Sequence, residues 1–103
     1  MANYSLDQLE SDISQIVAEL ATLRRAKGRD YSGTDDTFAN LREYGSLGVV
    51  IRMADKMHRL QTLYKPGAGS PAVADESVDD TVDDMINYAL FLRILRAQEA
   101  LLE

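Results

Sequence analysis

Cysteine is absent from the sequence, and histidine occurs once, at His58. Those gaps exclude disulfides, thiolate nucleophiles, cysteine-based zinc sites and histidine clusters, each of which needs several such side chains brought together. Basic residues are in the minority: 11 Lys and Arg against 17 Asp and Glu leave a net charge of −6 over 103 residues. A general nucleic-acid binder neutralises phosphates with basic surface, so direct nucleic-acid binding is not expected here. Small anionic ligands held through a divalent cation remain compatible with the charge.

Long apolar runs are missing as well. The most apolar stretch, Tyr88 to Leu95, is broken by Arg93 and falls far short of the roughly 20 residues that cross a bilayer. The opening Met-Ala-Asn-Tyr-Ser-Leu-Asp has neither the basic start nor the apolar run of a secretory leader. A cytoplasmic protein with no membrane partner is therefore expected.

What is present reads as helix. Ser5 with Gln8 three residues on is a capping-box pattern, and Leu6, Leu9, Ile13, Ile16, Leu20 and Leu23 follow at alternating steps of three and four. The spacing predicts a helix over about 5–27, stopped by Gly28 as C′ residue, with a narrow seam that packs against another helix. A short helix over about 36–44 is expected next, capped by Asp35 or Asp36, with Phe38 and Leu41 turned inward and Gly45 ending it. A long helix over about 47–64 would line the core with Val50, Met53, Met57, Leu60 and Tyr64, leaving Arg52, Asp55, Lys56 and Arg59 on the other face. Lys65 to Ala74, rich in Gly and Pro, reads as a flexible loop over about 65–75 before a last helix over about 76–101.

The expected fold is thus all-α: an antiparallel bundle of three long helices and one short one, forming a single domain over 1–103. At 1.5 Å per residue the last helix would be roughly 39 Å long, more than so small a domain needs internally. Beyond Asn87 it is apolar on most sides, through Leu90, Phe91, Leu92, Ile94 and Leu95. A second subunit is expected to cover what the chain itself cannot, giving a homodimer or higher homo-oligomer.

The start of that helix carries the chemistry. At 100° per residue Glu76, Asp80, Asp84 and Asn87 fall within roughly 80° of one another, opposite Val78, Val82, Met85, Ile86 and Ala89. Like charges at successive turns repel. The helix dipole offsets this in the first turn, covering Glu76 and Asp79, but it fades before Asp83 and Asp84. Bound magnesium is the sharper explanation, since one or two carboxylates with waters and phosphates suffice to hold it. A plain solvated acidic face is the other.

Two further segments carry candidate groups. In Lys27-Gly-Arg-Asp-Tyr-Ser-Gly, Lys27 and Arg29 would meet a phosphate and Tyr31 a base, or Asp30 and Ser32 would simply cap a turn. On the 47–64 helix, Asp55 and Arg59 form an acid-first i, i+4 pair that a surface salt bridge explains. Set opposite the acidic stripe, the same face would instead offer Asp55 as a cation ligand and Arg52, Lys56 or Arg59 to phosphate. His58 sits to one side of that face and reads as a rim residue.

Three segments together carry a resemblance: Lys27-Gly-Arg-Asp-Tyr-Ser-Gly with Phe38-Ala-Asn40, then Ile51-Arg-Met-Ala-Asp-Lys-Met-His-Arg-Leu60, then Asp75 to Tyr88. Over roughly residues 24–95 the chain resembles the small phage and bacterial proteins called nucleotide modification associated domain 1. More distantly, Asp84-Met-Ile-Asn-Tyr88 is similar to the second motif of the all-α nucleoside triphosphate pyrophosphohydrolases of the MazG and dimeric dUTPase kind.

That second resemblance implies a MazG-like fold and magnesium held between acidic helices against a nucleotide's phosphates. Carried over by position, Asp84 matches that motif's Asp and Asn87 the Asn that often follows. The motif's earlier Glu is Thr81 here, with Asp80 one step away, and the 47–64 helix offers the single acid Asp55 where that superfamily has two or more. The resemblance therefore implies hydrolysis of a nucleoside triphosphate to monophosphate and pyrophosphate, with Glu76, Asp80, Asp84 and Asp55 around Mg2+. Lys27, Arg52, Lys56 and Arg59 would neutralise phosphate charge, and Tyr31 and Asn87 would contact base or sugar. The missing acids leave two alternatives: a protein that sequesters a nucleotide or cyclic-nucleotide signal, as a phage counter-defence protein does in the host cytoplasm, or a structural partner of a nucleotide-modifying enzyme.

Overall fold

A computed structural model describes residues 3–31, 38–67 and 71–102, with the side chains of 28–31 and 71–76 left out of the description. It consists of α1 (Leu6–Tyr31), α2 (Ala39–Arg42), α3 (Gly45–Leu63) and α4 (Pro71–Leu101), with no strand among the described residues. By its contacts the chain divides into two units, Met1–Thr37 and Phe38–Glu103.

The first unit is α1. Its start follows the capping pattern, for Ser5 Oγ accepts the Gln8 backbone N–H at 3.0 Å. The reciprocal half of the box is not made: the Gln8 amide donates instead to Asp12 Oδ1 at 2.9 Å. Asp12 also accepts the Tyr4 hydroxyl, and that hydrogen bond pushes the exposed Tyr4 phenol above its usual pKa. Gly28 does not end the helix as expected; α1 runs on to Tyr31. A single helical glycine costs only about 1 kcal/mol relative to alanine, which the long helix before it can absorb. Along the heptad seam Leu20 is buried, while Leu6, Leu9, Ile13, Ile16 and Leu23 stay between 40% and 70% exposed.

The second unit is built on α3 and α4. They pair antiparallel, because Ser46 at the start of α3 meets Glu99 near the end of α4, and Lys56 further along meets Asp84 further back. The α4 stripe in this seam runs Thr81, Asp84, Tyr88, Leu92, Leu95 and Glu99, at steps of three and four. Leu95 and Thr81 on it are 1% and 2% exposed, and Val49 on α3 is 1% exposed.

The inward faces are rotated from the expected ones. On α3 the packed side holds Val49, Arg52, Met53, Lys56, Leu60 and Leu63, so Met53 and Leu60 pack as expected while Val50, Met57 and Tyr64 are exposed. The physical reason is that apolar residues occupy well over half the circumference of α3, so apolar pattern alone does not choose the side; the Lys56–Asp84 and Ser46–Glu99 contacts do. On α4 the rotation buries Thr81 and leaves Val82 and Ala89 in solvent.

Short α2 is fastened to α4 at two points. Phe38 and Phe91 pack edge to face at 5.5 Å, with Tyr88 a further 6.4 Å from Phe91. Arg42 Nε donates to Gln98 Oε1 at 3.3 Å. Phe38 and Leu41 are half-buried, as the sequence predicts, but α2 is a single turn rather than the helix over about 36–44. Its proposed caps, Asp35 and Asp36, lie outside the described residues.

Between α2 and α3, Gly45 has φ +67°, a left-handed conformation open to glycine and costly for residues with a Cβ. The turn aims the free N–H groups of α3 at Glu99. Its Oε1 accepts the Ser46 N–H at 2.8 Å and its Oε2 accepts the Ser46 hydroxyl at 3.0 Å. Tyr44, the preceding residue, supplies no side-chain cap. A carboxylate from another helix thus does the work of a local N-cap.

At the far end α3 closes through Tyr64 N–H to Leu60 O at 3.2 Å and Lys65 N–H to Thr62 O at 3.1 Å. Gly67 follows at φ +85°. Helix α4 begins at Pro71, so the expected loop over 65–75 is shorter than its Gly and Pro content suggests. Proline suits a first helical turn, where its missing N–H would have no helical partner.

Glu99→Ala should lower unfolding stability by about 1–2 kcal/mol, the loss typical of a helix cap. Gly45→Ala should cost roughly as much through its backbone conformation. Urea titrations followed by circular dichroism measure both, and Glu99→Gln should fall between wild type and Glu99→Ala.

Candidate functional site

The seam brings Lys56 of α3 against Asp84 of the acidic stripe on α4. Lys56 Nζ lies 2.9 Å from Asp84 Oδ2, with their side chains 30% and 41% exposed. Arg52, one turn earlier on α3, is half-buried. Lys56 and Asp84 are the part of the expected constellation that the fold brings into contact.

Other expected members are exposed, half-buried or outside what is described. Asp55 and Arg59 are both exposed, and no ion pair joins them among the described residues. His58 is exposed, as a rim residue would be. Asp80 is exposed one turn before Asp84, and Asn87 is half-buried one turn after it. Lys27 is exposed on α1. The side chains of Arg29, Asp30 and Tyr31, which extend α1 rather than forming a loop, lie outside the described residues, as does that of Glu76.

For magnesium the chemistry of the donors fits in part. Asp80 and Asp84 are neighbours on the helix surface, and two carboxylates with waters and phosphates make a sufficient set. No group of three or more Asp, Glu or His gathers among the described residues. Asp84 would also have to exchange Lys56 for the cation.

Thr81 occupies the centre of the acidic segment. Its hydroxyl donates to Ser77 O at 2.6 Å, so its burial leaves no polar atom unsatisfied. That pattern was concealed in the sequence, because a threonine between pairs of aspartates reads as part of the polar face.

Two clefts flank the junction of α2 and α3. The first, about 360 Å3, is walled by Leu41, Leu47, Val49 and Ile51, with Tyr44 beside it and Asn40 and Arg52 as its hydrogen-bonding groups. The second, about 370 Å3, surrounds the cap and includes Arg42, Ser46, Gln98 and Glu99. Sequence reasoning had assigned no role to Tyr44, Ser46, Gln98 or Glu99. The adjacent Gly45-Ser46 was the available signal, since a glycine followed by a small hydroxyl residue marks a turn into a helix.

No helix among the described residues is long and apolar enough to cross a membrane. Comparison with protein-family models, with curated proteins and with solved structures returns no match.

The Lys56–Asp84 pair is partly solvated, so its strength should be modest. A double-mutant cycle with Lys56→Ala and Asp84→Ala should give a coupling of about 0.3–1 kcal/mol, shrinking as salt is raised from 0.01 to about 1 M.

Proposed function

We propose that the α3–α4 seam handles a nucleotide, within a MazG-like all-α protein that works as a homodimer or higher homo-oligomer. One observation carries this reading: a cation of α3 and an acid of α4 meet across the seam, Lys56 and Asp84 at 2.9 Å. A phosphate chain and its counter-cation need both signs of charge side by side.

The reaction proposed is attack of water on the α-phosphorus of a nucleoside triphosphate. A new P–O bond forms to the water oxygen as the bond to the bridging α–β oxygen breaks, giving a nucleoside monophosphate and pyrophosphate, with the water proton released to solvent. Mg2+, when bound, would lie on Asp80 and Asp84, with Glu76 and Asp55 as further donors, and would supply Lewis acidity. Lys56 exchanges Asp84 for a phosphate oxygen, and Arg52 adds a second cation one turn away. Arg59 extends the positive field, while Asn87 is the proposed contact to the sugar.

A second reading, a protein that holds a nucleotide without cutting it, is favoured by a specific feature. Asp84 is already neutralised by Lys56, and Asp55 is exposed. Support for self-association comes from α3 and α4 themselves: Val50, Met57, Tyr64, Leu90 and Ile94 are 41–73% exposed, an unusual apolar surface for a protein working alone.

Incubation with Mg2+ and a panel of ribo- and deoxyribonucleoside triphosphates should release pyrophosphate, and Asp84→Asn should lower the rate at least about a hundredfold. No turnover with any of them, or equal turnover by Asp84→Asn, would exclude the hydrolase. Calorimetry then decides for the second reading if affinity survives chelator and the ligand is recovered intact.

A further inference from the structure

We infer that the cleft between α2 and the first turns of α3 is the subsite for the heterocyclic base of the nucleotide, an inference that rests on the nucleotide reading of the adjoining seam. Three features of the cleft point there. Its volume, about 360 Å3, lies within the range of small-ligand sites. Its walls are apolar, from Leu41, Leu47, Val49 and Ile51, and Tyr44 offers an exposed ring for stacking.

Its polar groups are placed sparingly. Asn40 is exposed at the end of the cleft, and Arg52 is half-buried beside it; neither has a hydrogen-bond or ion-pair partner among the described residues. An asparagine amide presents a donor and an acceptor side by side, the complement of a base edge. The guanidinium is a fixed positive fork suited to a phosphate.

Register on α3 connects the cleft to the seam. Arg52 and Lys56 are one turn apart and both half-buried on the packed side of α3. A ligand with its ring against Leu47 and Ile51 would pass its first phosphate to Arg52 and the next toward Lys56. Among ligands with an apolar planar part and an anionic part, a nucleotide fits this order of groups: ring, amide partner, cation, second cation.

The cleft also has a built-in geometric origin. A Cβ added at Gly48 would lie 2.7 Å from the Tyr44 Cβ, closer than side-chain carbons pack. Glycine at 48 therefore lets the chain before α3 fold back over the helix and form the cleft wall.

The full chain, labelled with 15N, should be titrated separately with sodium pyrophosphate and with the 5′-monophosphates of adenosine, guanosine, cytidine and thymidine. At least one monophosphate should shift the amides of Asn40, Tyr44, Leu47, Gly48 and Ile51, and Asn40→Ala and Arg52→Gln should each weaken its binding about tenfold or more. Asn40 is exposed, so Asn40→Ala should keep the wild-type spectrum elsewhere and separate lost contact from lost folding. If pyrophosphate and the monophosphates shift only the surroundings of Lys56 and Asp84, the cleft is not the base subsite, and the nucleotide reading of the seam survives. If the cleft responds but no triphosphate is hydrolysed, the subsite stands and the hydrolase falls. Silence toward every probe overturns both.

Discussion

The carboxylate of Glu99 on Ser46 is the contact on which the second unit depends. A helix begins with N–H groups that have no partner within it, and α3 lacks a side chain of its own at the N-cap position. Glu99 meets that need from α4, at 2.8 Å to the backbone and 3.0 Å to the hydroxyl. Because the donor and acceptor sit on different helices, the same contact that ends a local problem also sets how α3 and α4 line up.

Alignment at one end decides what meets at the other. Asp84 and Glu99 are fifteen positions apart on one helix, about 22 Å at 1.5 Å per residue. A slip of one residue would turn every α4 side chain by about 100° relative to α3 and carry Asp84 away from Lys56. Phe38 on Phe91 and Arg42 on Gln98 hold α2 to the same helix, so the cleft walls inherit their position from α4 as well.

Much of this was legible in the sequence, and the parts that were not share a cause. The three long helices and the short one follow from apolar spacing, and the Lys56–Asp84 contact is one that the charge pattern of the two helices allows. The inward sides of α3 and α4 did not. Met53 and Leu60 pack as expected, but Val50, Met57 and Tyr64 join them as readily by spacing as Val49 and Leu63 do, and only a contact between distant residues chooses between them. Glu99 looked like one more acid near the end of a helix, since nothing in its neighbours reveals that its partner lies at position 46. Gly28 misled for the opposite reason: a strong local signal was outweighed by the continuity of the helix around it.

Thr81 shows where α4 admits charge. Its hydroxyl turns back on its own helix while the residue is buried, and acids stand in pairs on either side, at 79 and 80 and again at 83 and 84. An ionised side chain at 81 would lose its hydration with no partner waiting, a loss of several kcal/mol. Acidity along this helix can grow outward in solvent but not inward. A lineage seeking a third inward carboxylate would first have to remodel the facing turn of α3.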